Sequence, residues 1–142
     1  RALKTPKLAF VDSGVACEVG GWDSRTLARD SAFGGLMEGF VAMELARQAT
    51  WAETWVTLSH YRNKDKQEVD LVLEDRRGRV VGIEVKASST VRGDDFRGLR
   101  HLAGLLGDDF LAGVVLYTGG TTANFGKRLS AVPVSALWQV GA

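Results

Sequence analysis

Two apolar stretches that carry charges inside them constrain this chain more than any other feature. Glu68 to Glu74 (EVDLVLE) alternates, with Val69, Leu71 and Leu73 on one face and Glu68, Asp70, Val72 and Glu74 on the other. Asp75-Arg76-Arg77-Gly78 is a turn sequence, and Val80 to Ala87 (VVGIEVKA) supplies a return strand, which predicts a β-hairpin. Glu84 and Lys86 stand two apart on that strand, so they share a face with a spacing of roughly 7 Å. Charges in an apolar strand are costly unless they are paired or bind an ion. Antiparallel pairing brings Asp70 beside Glu84, where two carboxylates repel and one takes up a proton. A divalent cation removes that conflict, and Mg²⁺ accepts a few carboxylate oxygens together with water and phosphate.

A third carboxylate is Glu38. The stretch Gly35–Ala49 has helical periodicity, and Glu38 lies on the stripe that carries Val41, Ala42 and Leu45. Elsewhere the pattern predicts a strand over Lys7–Asp12, a loop at Gly20-Gly21 with a polar stretch to Ser31, and a strand over Thr54–Tyr61. A polar turn follows at Asn63–Lys66. A helix is predicted over Asp94–Leu106 and strands over Phe110–Thr118 and Leu129–Val132, with a final turn at Val134–Trp138. The fold class is α/β. No internal repeat divides the 142 residues, whose length and composition (45% hydrophobic, 25% charged) fit one globular domain.

No run of 18 apolar residues crosses a membrane, and the first residues lack a signal-peptide pattern. The single Cys17 cannot form an internal disulfide and reads as a small core residue in a reducing cytosol, which gives a cytoplasmic expectation. A structural zinc site lacks ligands. With 18 basic and 17 acidic residues, net charge gives no licence for a nucleic-acid claim, which must rest on local clustering. Gly119 to Lys127 lacks the glycine and the Ser or Thr of a P-loop, having Thr121 and Arg128 there. Trp22, Trp51, Trp55 and Trp138 are scattered and read as core or interface packing.

The order of a helical Glu38, then Asp70, then Glu84-Val85-Lys86 resembles the PD-(D/E)XK nuclease superfamily, which includes restriction enzymes and archaeal Holliday-junction resolvases. The leading Pro of that motif is replaced by Val69. A fuller resemblance is to the uncharacterised C-terminal domain of prokaryotic AAA-type ATPases. It rests on the phrases Lys7–Gly14, Glu38–Val41, Tyr61-Arg62, Glu68–Glu74, Ile83–Ser89, Gly98-Leu99 and Pro133–Trp138, in order along the chain. The resemblance implies a restriction-endonuclease-like core, a mixed central sheet flanked by helices. It also implies that residues 1–142 are one nuclease-like domain from the C-terminal part of a longer ATPase. By the same resemblance Asp70, Glu84 and the Val85 carbonyl ligate Mg²⁺ or Mn²⁺, with Glu38 joining directly or through water. Lys86 orients the attacking water and helps deprotonate it.

Around that set, Ser88 lies on the Glu84 and Lys86 face. Arg62 either contacts phosphate or pairs with Glu68 or Asp65. Arg97, Arg100 and His101 form a basic helix face that either tracks a phosphate backbone or is simply solvated. Two functions follow: a metal-dependent DNA nuclease domain attached to an AAA-type ATPase, or a non-catalytic module that binds nucleic acid or protein and regulates that ATPase. Homodimerisation is an expectation by analogy with resolvase-like nucleases, which cut two strands.

Overall fold

The hairpin read from the sequence forms the second and third strands of a six-stranded mixed sheet. The computed structural model describes residues 6–139. Its helices are α1 (Ser13–Gly20), α2 (Ser24–Leu27), α3 (Phe33–Ala49) and α4 (Arg97–Leu106). Its strands are β1 (Val56–Arg62), β2 (Glu68–Asp75), β3 (Val80–Lys86), β4 (Phe110–Tyr117), β5 (Ala123–Gly126) and β6 (Leu129–Pro133). Sheet order is β1-β2-β3-β4-β6-β5. β1, β2 and β3 pair antiparallel, β3, β4 and β6 pair parallel, and β5 returns antiparallel on β6. No helix among the described residues is long and apolar enough to cross a membrane.

The β2–β3 turn is built by Asp75, whose Oδ1 accepts the N–H groups of Arg77 and Arg79 at 2.8 and 2.9 Å. Gly78 closes it at φ 78°, a left-handed conformation that glycine adopts without a Cβ clash. Parallel pairing of β3 with β4 requires a crossover, and α4 supplies it. α3 covers one face of the sheet, where Val41 packs with Leu71, Ile83 and Leu116. α4 covers the other, where Leu99, Leu102 and Phe96 pack with Val69, Val80, Phe110 and Val115. Burying side chains such as Leu99 and Leu102 contributes about 1.5–3 kcal/mol each. Leu99 is seated over Gly82 and Gly113, where an added Cβ would stand 2.7 and 3.2 Å from it.

Several local expectations need correction. Lys7–Asp12 is not a strand. It runs outside the sheet with Leu8, Phe10 and Val11 exposed, and Asp12 instead caps α1 by accepting the N–H groups of Gly14 and Val15. The polar stretch before Ser31 contains α2, capped reciprocally by Asp23 and Thr26. The Asp94–Leu106 helix starts at Arg97, because Gly93–Phe96 forms a 3-10 turn. Of the two packing roles expected for the tryptophans, the core does not take Trp51, Trp55 or Trp138, which remain about half exposed or more, with Arg76 over the Trp55 ring. β2 does not alternate throughout: Val69 and Val72 belong to the same core cluster, because two steps along β1 (Ser59 to Tyr61) span three along β2 (Val72 to Val69). That is a β-bulge at Asp70-Leu71.

α4 approaches β2 closely at Gly98, where a Cβ would lie 2.0 Å from the Glu68 carbonyl oxygen. Gly98→Ala is therefore expected to destabilise the domain by about 1–3 kcal/mol, as overpacking does. Gly104, on the same helix, has nothing within 4 Å, so Gly104→Ala is expected to stabilise by about 0.4–1 kcal/mol. Urea unfolding of the two variants checks the opposite signs. Equal midpoints would remove the close approach as a constraint.

Candidate functional site

The β2–β3 ladder ends at Leu71 and Ile83. One step further the strands part, and the Asp70 carboxylate takes over as partner. Its Oδ2 accepts the Val85 N–H at 2.9 Å. The bulge aims Asp70 into this split, a placement that bulges beside functional sites commonly serve. Asp70 Oδ1 faces Lys7, whose Nζ donates to it at 3.2 Å and to Glu38 Oε1 at 2.7 Å. α3 holds Glu38 there by packing the neighbouring Val41, Ala42 and Leu45 into the core.

Glu84 joins from the α4 side. Its Oε1 would stand 2.9 Å from a Cβ at Gly98, so the first turn of α4 covers it. Burial, then the charge and hydrogen bond of Asp70, push the Glu84 carboxyl up to about 9. At neutral pH it therefore carries the proton expected when two carboxylates meet. Burial works against the Lys7 charge, but Glu38 and Asp70 together hold the ammonium above its ordinary range. Three carboxylates from a helix, a bulged strand and its partner strand thus converge around a proton and a lysine. Among the described residues no group of three or more His, Cys, Asp and Glu side chains stands ready to hold a metal ion. An open groove of about 470 Å³, bordered by Lys7, Leu8, α3 and β1, ends on Glu38 and Asp70.

Lys86 shares the Glu84 face, opposite Val85 and Ile83, which pack under α3. Its ammonium is bonded to Asp95 in the turn before α4. Burial would raise the Asp95 carboxyl, but Lys86 and the Arg92 N–H, which donates to it at 2.6 Å, hold it below the usual carboxylate range. Val85 presents its N–H to Asp70, and its backbone pairs with Leu116 of β4.

The outer residues separate from this group. Arg62 pairs with Glu68 across the β1–β2 ladder at 3.6 Å, one of its two expected arrangements. Ser88 does not bond to the carboxylates: its hydroxyl accepts the Thr90 N–H and shapes the turn after β3. Arg100 is exposed, donates one bond to the Gly93 carbonyl at 2.6 Å and lies over Phe96. Arg97 is exposed on α4. His101 meets Tyr61 Oη and Asn63 Nδ2 at 3.1 and 3.2 Å, which ties α4 to the β1–β2 turn.

Sequence reasoning missed Lys7, Asp95 and Gly98 as parts of this neighbourhood. Asp95 was legible only as an acidic residue at a helix start. Lys7 sits 63 residues from Asp70, a separation at which no local periodicity reports a contact.

Comparison with known proteins places this geometry in context. No curated protein matches the chain. A solved structure shares the fold: a chain in the refined half-complex from the tetradecameric assembly of Thermococcus gammatolerans McrB AAA+ hexamers with bound McrC. It has 16% identity and a TM-score of 0.50, covering 70% of this chain and 27% of that chain. This protein thus spans about a quarter of the length of that neighbour. The family model of a domain of unknown function, DUF4143, matches residues 33–137, which include α3, the hairpin and α4. The chain belongs to the DUF4143 family.

Proposed function

We propose that this domain is a metal-dependent DNA nuclease of the PD-(D/E)XK, restriction-endonuclease-like type, working with an AAA-type ATPase. The observation that carries the reading is the Lys7 bridge between Glu38 and Asp70, with Glu84 beside Asp70 and Lys86 two residues beyond Glu84. The donors are all oxygen, the kind that Mg²⁺ or Mn²⁺ takes together with water, and the Lys7 ammonium stands as a cation between two of them. Asp70, Glu84, Glu38 and the Val85 carbonyl would hold the ion. When bound, it supplies a water of lowered pKa and offsets charge on the phosphodiester.

The chain's own residues have separable tasks in this reading. The Val85 N–H fixes the orientation of Asp70. Glu84, raised to about 9, would lose its proton to solvent if it served as a ligand. Lys86, paired with Asp95, would orient the attacking water and help deprotonate it. Arg97 offers a positive charge to the DNA backbone. The AAA-type association is supported by the fold neighbour, whose assembly contains AAA+ hexamers.

A second reading has its own observation. Lys7 occupies Glu38 and Asp70, and Arg62 and Arg100 are engaged internally, an arrangement compatible with a non-catalytic module that regulates the ATPase by binding DNA or protein.

The two readings part in a cleavage assay on linear, supercoiled, single-stranded and branched DNA with Mg²⁺ or Mn²⁺. Metal-dependent cutting is expected, falling to background in Asp70→Ala, Glu84→Gln and Lys86→Ala while the fold persists by circular dichroism. Binding of DNA without cutting, by this chain and by the full ATPase, would favour the regulatory module.

A second test follows from Glu84. Its carboxyl is raised from 4.5 to about 9, so the folded chain keeps a proton that the unfolded chain releases. This contribution to stability is complete below about 4.5 and is lost as pH rises towards about 9. The melting temperature is expected to decline across that window, and Glu84→Gln to flatten the decline. Saturating Mg²⁺ is expected to flatten it as well, by replacing the proton. An identical slope in Glu84→Gln would remove Glu84 as its source.

A further inference from the structure

Lys7 is held in the site by a segment with few other attachments. Among the described residues, no backbone hydrogen bond ties residues 6–11 to any element. Leu8 is 97% exposed and Val11 76%, and Phe10 is about half covered, so of these three apolar side chains only Phe10 is substantially covered. Its visible anchors are the two Lys7 ion pairs and the approach of Ala9 to Gly39, where a Cβ would stand 3.4 Å from Ala9. Asp12, the cap of α1, marks where this tether joins regular structure.

The oxygens that Lys7 uses are the ones a metal ion needs. Asp70 has committed Oδ2 to the Val85 N–H, so Oδ1 is its outward-facing ligand atom, and Lys7 takes it. Glu38 gives Oε1 to the same ammonium. A cation at this position cannot coexist with a lysine Nζ within 2.7–3.2 Å of both oxygens, because the two positive groups would share the same space and repel. The loosely attached segment makes withdrawal the easier resolution.

We propose that Lys7 is a tethered counter-ion that competes with a divalent cation for Glu38 and Asp70, so that residues 6–11 form a displaceable plug over the site. The plug keeps the carboxylates neutralised until metal enters, and metal entry frees the segment for other contacts. This rests on the metal-site reading above and adds its regulation.

Mn²⁺ binding by the 142-residue chain tests it, followed through the electron paramagnetic resonance signal of free Mn²⁺. Lys7→Ala and Lys7→Gln are expected to bind Mn²⁺ at least about tenfold more tightly than the parent, a change of about 1.4 kcal/mol. Adding Asp70→Asn to Lys7→Ala is expected to abolish the gain. In the parent, saturating Mn²⁺ is expected to speed cleavage after Lys7 by a lysine-specific protease, because the side chain is released. Equal, Asp70-dependent affinity in parent and Lys7 variants would overturn the plug and leave the metal site standing. Weaker binding in the Lys7 variants would also overturn it, since Lys7 would then support the site. Absence of Mn²⁺ binding in every variant would overturn both the plug and the metal site.

Discussion

The hydrogen bond from the Val85 N–H to the Asp70 carboxylate holds the arrangement together. Where β2 and β3 separate, a backbone donor would lose its ladder partner, and an unpaired buried N–H costs about 1–3 kcal/mol. Asp70 fills that vacancy with a side chain, at 2.9 Å, and is fixed in place by doing so. Its other oxygen is then available to Lys7, and its charge acts on Glu84. Without the split there would be a longer hairpin and no cluster of acidic groups. Without Asp70 the split would leave a polar defect in the sheet.

The helices finish what the strands begin. α3 brings Glu38 from one side of the sheet, and α4 covers Glu84 from the other through the space left by Gly98. The same first stretch of the crossover supplies Asp95, which captures Lys86. Each acidic group therefore has a defined electrostatic partner: an ammonium, a backbone N–H or a shared proton. Among the described residues, no side-chain nitrogen or oxygen is buried without a hydrogen-bond partner.

Much of this was readable from the residues, for physical reasons that also mark where reading stops. The charges of EVDLVLE and VVGIEVKA stood out because apolar strands tolerate charge only under compensation, and the turn at Asp75–Gly78 fixed the register that carries Asp70 to Glu84. Helical spacing put Glu38 beside Val41 and Leu45. Alternation failed at Val69, since a bulge inserts one residue and leaves no signature in a two-residue period. Lys7–Asp12 was misread because its apolar side chains look like strand residues, whereas strand identity depends on a partner that the sheet does not provide. The Lys7 contact itself depends on how α3 and β2 pack, which no local pattern encodes. The Ser88 and Arg100 contacts with nearby backbone groups depend on local turn geometry that residue spacing does not report.

The separations closing the site have a consequence for how the chain acquires it. Asp70 and Val85 are 15 residues apart and belong to one hairpin, whereas Lys7 reaches 31 residues to Glu38 and 63 to Asp70. Local contacts form at lower loop-closure cost than distant ones. The acidic half of the cluster can thus assemble with the hairpin, while its positive closure requires the sheet, α3 and the leading segment all in register. The Lys7 bridge is the latch of the finished domain, and a chain that makes it has brought its leading segment, α3 and the hairpin into alignment.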